Sequence, residues 1–188
     1  MQATGSPLAA WESFYVIIGS SAGALIGLQF VVIALLAETR RRSTPREIDA
    51  FATPAILHFV AALLVSSILS APWPSPSSVS LALGICGGVG VAYVGVVIRR
   101  AHRQTLYQLV LEDWVWHTAL PLIAYAALVG AAFALSRHVL VSLFIVGGTA
   151  ILLLLIGIHN AWDTVTYIAL DHVKAENEPG EHSTSHGT

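Results

Sequence analysis

The sequence predicts an all-α protein, a polytopic transmembrane bundle of five helices with the N-terminus outside and the C-terminus inside. Three observations lead there. Only 11% of the 188 residues are charged, against roughly 25% in soluble domains. Asp, Glu, Lys and Arg are absent from residues 13–37, 50–98, 114–136 and 138–162, runs of 25, 49, 23 and 25 positions. A bilayer core takes about 20 apolar residues per helix. The five tryptophans, Trp11, Trp73, Trp114, Trp116 and Trp162, fall at the ends of the predicted spans, at the headgroup depth that amphipathic rings prefer. A soluble globular domain is excluded. A net charge of −2 supplies no basic surface for nucleic acid.

Each element follows from this pattern. Span 1 covers about 14–37. It lacks a basic leader, and its apolar run is too long for a cleaved signal, so it is expected to remain as an anchor. The 49-residue run is too long for one helix and breaks at Ala71-Pro72-Trp73-Pro74-Ser75-Pro76-Ser77-Ser78, where alternating prolines remove helical donors. Spans 2 and 3 are therefore about 51–71 and 79–98. Helix 2 is expected to start at Thr44-Pro45-Arg46-Glu47, a capping box with proline at the first helical position. Spans 4 and 5 cover about 114–136 and 139–161. These runs are continuous rather than alternating, which excludes a β-barrel, and lipid offers their backbone no water, so each forms a helix.

Three further expectations concern the helix ends and the tail. Pro54 and Pro121 should bend their helices locally. Arg99–Asp113 should continue helix 3 or lie along the headgroups. Val165, Ile168, Ala169 and Val173 recur at helical spacing and extend helix 5 to about residue 174. Residues 1–174 form one domain, and the acidic tail 175–188 is expected to be disordered in the cytoplasm, because its composition buries no core.

Charge sets the orientation. Arg40, Arg41, Arg42, Arg46, Arg99, Arg100, Arg103 and Lys174 fall on one side of the predicted topology and Arg137 alone on the other. Basic loops stay in the cytoplasm, so the chain is expected in a bacterial inner membrane, with membrane lipids as its immediate surroundings.

Little hydrophobic force acts between helices in lipid, so close packing falls to small residues. Gly19, Gly23 and Gly27 form a stripe of period four on span 1, and Gly84, Gly88 and Ala92 repeat it on span 3. Gly130 lies between Ala126 and Ala134 on span 4. These glycines are expected to pack helices within the chain, or to dock a second copy or another membrane protein. Cys86, the single cysteine, reads as a small packing residue.

The candidates for chemistry are the polar groups left in or beside lipid. Gln29 lies mid-span and needs a hydrogen-bond partner. His58, His117 and His159 fall in the cytoplasmic half; His159 and Asp163 share a helical face at i, i+4, with Asn160 and Thr164 on the neighbouring stripe. Intramembrane ionisable groups are functional candidates by default. The first reading is a structural, hydrogen-bonded closure of the cytoplasmic end with no cofactor. Proton or ion traffic is one alternative. Another is a haem or transition metal held by His58, His117 and His159, although no HxxxH, HExxH or cysteine spacing is present. No nucleophile–base pair, phosphate loop or catalytic carboxylate pair can be assembled, so an enzyme is not predicted. The predicted activity is association, as a homo-oligomer or as an accessory subunit of a membrane complex. A small ion channel or proton-linked transporter is the alternative.

Two segments carry a family likeness. Phe14-Tyr15-Val16 followed by Gly19-Ser20-Ser21-Ala22-Gly23-Ala24-Leu25-Ile26-Gly27-Leu28-Gln29-Phe30-Val31-Val32 resembles the opening of a family of small, largely uncharacterised bacterial inner-membrane proteins. Gly157-Ile158-His159-Asn160-Ala161-Trp162-Asp163 resembles their closing segment. Some members carry an automatic label as modulator of a membrane protease. The likeness covers roughly residues 10–172 and implies the five-helix membrane fold. It marks Gly19, Gly23, Gly27, Asn160 and Trp162 as family features without assigning a role. The family pattern does not require His159, which argues against a shared metal site.

Overall fold

The computed structural model describes residues 9–39, 45–103 and 114–177, with side chains described over 10–34, 55–99 and 114–166. Within them are five α-helices and no strand: α1 (Glu12–Thr39), α2 (Pro45–Ser70), α3 (Pro76–Arg103), α4 (Leu120–Ala134) and α5 (Val139–Asn177). Four of these are long and apolar enough to cross a membrane, over Glu12–Ala34, Pro76–Arg99, Val115–Ala134 and Val139–Thr166. The described apolar part of α2, Ala55–Ser70, is shorter.

The helix ends show which local signals acted. A short 3₁₀ turn, Ala9–Trp11, leads into α1, whose first turn holds Glu12 at the positive end of the helix dipole. α2 starts at Pro45, as a proline at the first helical position favours; its expected Thr44 cap lies outside the described residues. The proline-rich break is shorter than expected. α3 begins at Pro76 rather than near 79, because this proline also occupies a first helical position, where no donor is needed. Ser75 precedes it, and its Oγ accepts the Ser78 backbone N–H at 3.4 Å, a helix cap. The Trp73 indole N–H donates to the Ile68 carbonyl and satisfies one of the last acceptors of α2.

At Pro121 the structure shows a change of helix type. The chain before it, Val115–Ala119, is a π turn, in which the Leu120 N–H bonds the Val115 carbonyl. The wider turn relieves the crowding a proline ring imposes on the preceding turn of an α-helix. After α4, the Arg137 and His138 N–H groups both bond the Ala134 carbonyl, and the chain reverses into α5. α5 runs to Asn177, past the expected 174, so the helical pattern outlasts the change in composition at Ala175. Residues 178–188 of the expected tail, and 104–113 of the expected headgroup segment, lie outside the described residues.

α2 and α5 form the centre of the bundle. α1 packs mainly along α2; α5 packs on α2 and α4; α4 packs on α3; the α2–α3 contact is slight. Both short turns and Trp11 lie at one end, called here the turn end. There Trp11 meets Phe144 at 4.8 Å between ring centroids and Phe14 at 5.4 Å, and the Tyr15 hydroxyl donates to the Leu143 carbonyl at 3.3 Å. These contacts bind the start of α1 to the start of α5.

The glycines that bring helices together are largely not the expected ones. A Cβ on Gly90 would collide with the Tyr125 ring, and one on Gly157 would stand 2.5 Å from the Phe59 ring. On Gly87 it would stand 2.7 Å from Val129, and on Gly147 2.8 Å from Trp11. Of the predicted packing set, Gly19 lies against Ser66 of α2, with 3.1 Å between Cβ positions. Gly84 makes only an ordinary contact with Ala132 at 3.8 Å. Gly23, Gly27, Gly88 and Gly130 have nothing within 4 Å of a Cβ and are exposed. They do not pack helices within one chain, because each helix is rotated so that this side of its stripe faces outward.

Gly90→Ala is expected to lower thermal stability in detergent by about 1–3 kcal/mol through overpacking. Gly88→Ala, two residues away, should be neutral or raise stability by about 0.5–1 kcal/mol through helix propensity. Equal melting temperatures for the two variants would contradict the assigned faces of α3.

Candidate functional site

The interior of the bundle holds few polar side chains, and two of them meet at its centre. His58 of α2 is 2% exposed and Tyr125 of α4 is 1% exposed. His58 Nδ1 and the Tyr125 hydroxyl share a hydrogen bond at 3.0 Å, donated by the phenol or by Nδ1–H according to the imidazole tautomer. The rings lie 5.9 Å apart at 34°. Tyr125 reaches across from α4 because its ring lies against α3 at Gly90, where no Cβ intervenes. One phenol thus touches three helices. A buried Tyr hydroxyl and a buried imidazole each need a partner in lipid, and each supplies the other's. His117 lies within electrostatic reach of His58.

A second polar group lies toward the opposite end from the turns. The His159 ring of α5 stacks on Trp116 of the π turn at 3.8 Å and 17°. His159 Nδ1 is 2.9 Å from Asp163 Oδ2, an ion-pair distance without hydrogen-bond alignment. The predicted i, i+4 face of His159 and Asp163 is therefore realised, and the stack adds a contact to the α4 side. On the neighbouring stripe, the Thr164 hydroxyl donates to the Asn160 carbonyl at 2.8 Å. The Asn160 carboxamide is 3% exposed, and neither its oxygen nor its nitrogen has a hydrogen-bond partner. Gln29 is 5% exposed on α1.

The six predicted polar candidates thus separate. His58 meets Tyr125 within reach of His117; His159 meets Asp163 and Trp116; Asn160 is held by its backbone to Thr164; Gln29 is buried on α1. Among the described residues, no three His, Cys, Asp or Glu side chains come together as a metal-binding group. His58, His117 and His159 are not brought together as such a group; His159 lies against Trp116 and Asp163. Tyr125 and Gly90 were absent from the sequence candidates. The available signal was a phenol in the middle of an apolar span, four residues after Pro121, which required a partner somewhere in the bundle.

Fold and site together define a helical membrane-type bundle with a buried imidazole–phenol junction. No protein family, curated protein or solved structure matches the chain.

His58→Leu or Tyr125→Phe should each cost about 1–3 kcal/mol, because each leaves the other polar group buried and unpaired. The double variant should cost less than the sum. Thermal unfolding of all four proteins in detergent measures the coupling, and strict additivity would disprove it.

Proposed function

We propose that this chain is a five-span protein of a bacterial inner membrane, N-terminus outside and C-terminus in the cytoplasm. In this reading it acts by association, as a homo-oligomer or as an accessory subunit of a membrane complex. The observation that carries the reading is the outward face of α1. Ser20, Gly23, Ala24 and Gly27 are all exposed, and a Cβ on either glycine would meet nothing within 4 Å. A flat strip of small residues facing lipid lets another helix approach closely, and close approach is the main source of helix association in a bilayer. α1 is also bound mainly along α2, and among the described residues nothing packs on this face at Gly23 or Gly27.

The orientation rests on charge. In the proposed topology the turn end carries Arg137 alone, and the other eight basic residues of the sequence fall on the opposite side. α2 enters as the fifth span because it lies between α1 and α5, both of membrane length, and continues a run without charge from residue 50. Association is favoured over passage by the packing on the turn side of Tyr125. Val65, Leu83, Leu128 and Leu135 are all buried there, and a polar route would have to displace them.

Light scattering of the detergent-purified protein tests the reading. The expected result is a particle larger than one chain, or a stoichiometric partner, lost in Gly23→Leu with no fall in melting temperature. Unchanged particle mass and unchanged partner content in that variant would sink the proposal.

A further inference from the structure

Among the described residues, three buried polar atoms without a hydrogen-bond partner sit together on consecutive residues of α5: His159 Nδ1 and the oxygen and nitrogen of the Asn160 carboxamide. The others are single hydroxyls, of Ser66, Ser80 and Ser142. Asn160 comes three residues after Gly157, which faces Phe59 of α2, and one after His159, which faces Trp116. At about 100° per residue it lies roughly 60° from the first and about 100° from the second, on the arc between α2 and the π turn. The π turn brings an acceptor to the same place. A helical carbonyl takes its bond from the N–H four residues on, or five residues on in a π turn. For Trp116 those residues are Leu120, whose N–H bonds the Val115 carbonyl, and Pro121, which has no N–H. The seam between the π turn and α5 therefore joins three unpaired side-chain atoms to a carbonyl that its own helix leaves without a donor.

Each such atom costs free energy while dry, and water removes that cost. Local opening occurs where stability is lowest, and π turns are frequent at functional positions. The seam also lies near the edge of the bundle. Asp163 is half-exposed beside His159, and Trp114 and Trp162 are exposed. Behind the seam, His117 follows Trp116 and lies within electrostatic reach of His58, which bonds Tyr125. We propose that the seam between the π turn and α5 opens to water, as a one-ended inlet from the end opposite the turns to the His58–Tyr125 junction. Opening hydrates Asn160 and the Trp116 carbonyl and gives up the His159–Trp116 stack. The inlet stops at Tyr125, because the side chains beyond it, Val65, Leu83, Leu128 and Leu135, are buried and apolar. The junction thereby exchanges protons with one side of the membrane only. This does not depend on the association proposed above, since the inlet lies on α4 and α5 and the small-residue strip on α1.

The test uses the full chain in phosphatidylcholine nanodiscs, with Cys86→Ala removing the native thiol. Thr118→Cys places a thiol on the π turn, where the native side chain is 8% exposed; Ser142→Cys places one near the turns, at 0%. A charged, water-soluble methanethiosulfonate reaches only hydrated thiols, and it should label Thr118→Cys at least about tenfold faster than Ser142→Cys. Adding Asn160→Leu removes the unpaired carboxamide; it should raise the melting temperature and slow labelling of Thr118→Cys about tenfold. Equal labelling of the two cysteines, in variants that melt with the parent, would overturn the inlet. So would Asn160→Leu that leaves the labelling rate unchanged. Amide exchange reads the same opening without any substitution. Residues 115–120 and 159–164 should exchange faster than 143–153, and equal protection would count against the proposal.

Discussion

A backbone amide in hydrocarbon has no water to bond, and the rest of this structure depends on that constraint. It favours a continuous helix over each predicted span and confines irregular backbone to the span ends. It also explains why the prolines are placed as they are. Pro45 and Pro76 stand at first helical positions, where no donor is lost, and Pro121 is accommodated by a π turn rather than a break. With backbone hydrogen bonding satisfied inside each helix, the helices are held to one another by packing and by very few polar contacts.

The junction at Tyr125 shows how those two forces combine. Gly90 removes the one Cβ that would hold the ring away from α3, and the hydroxyl then reaches His58 on α2. The contact ties three helices at a point where α2 and α3 otherwise scarcely meet. A close approach and a buried hydrogen bond therefore meet in one side chain here. The aromatic cluster of Trp11, Phe14, Tyr15 and Phe144 does comparable work at the turn end, with Gly147 giving Trp11 its space.

The two groups of glycines separate internal packing from outward surface. Gly87, Gly90, Gly147 and Gly157 stand under large side chains of neighbouring segments; Gly23, Gly27, Gly88 and Gly130 stand under nothing among the described residues. A glycine weakens a helix relative to alanine, by roughly 0.5–1 kcal/mol, so four outward ones are costly unless something uses the flat surface they leave. That energetic argument, rather than the repeat itself, supports association. The polar residues divide in a similar way. The buried Gln29, His58 and Asn160 lie toward the end opposite the turns, whereas the buried polar groups nearer the turns are the hydroxyls Ser66, Ser142 and Thr149.

The sequence by itself determined the helical class and the number of helices, and it located most of their ends to within a few residues. Charge and proline act locally and through the solvent: a charged residue is excluded from lipid and a misplaced proline breaks a helix, whatever the neighbours are. It also placed His159 and Asp163 on one face, because helical spacing is a property of one element. What only the tertiary structure decided was the rotation of each helix about its own axis. The spacing of Gly19, Gly23 and Gly27 is compatible with an inward or an outward stripe, and nothing within α1 distinguishes them. Rotation is set by which large side chains must be received elsewhere, as Tyr125 is at Gly90 and Phe59 at Gly157. For the same reason the partner of His58 was not legible. Its hydrogen bond joins positions 67 residues apart, and the pairing exists only once α2, α3 and α4 are turned toward one another.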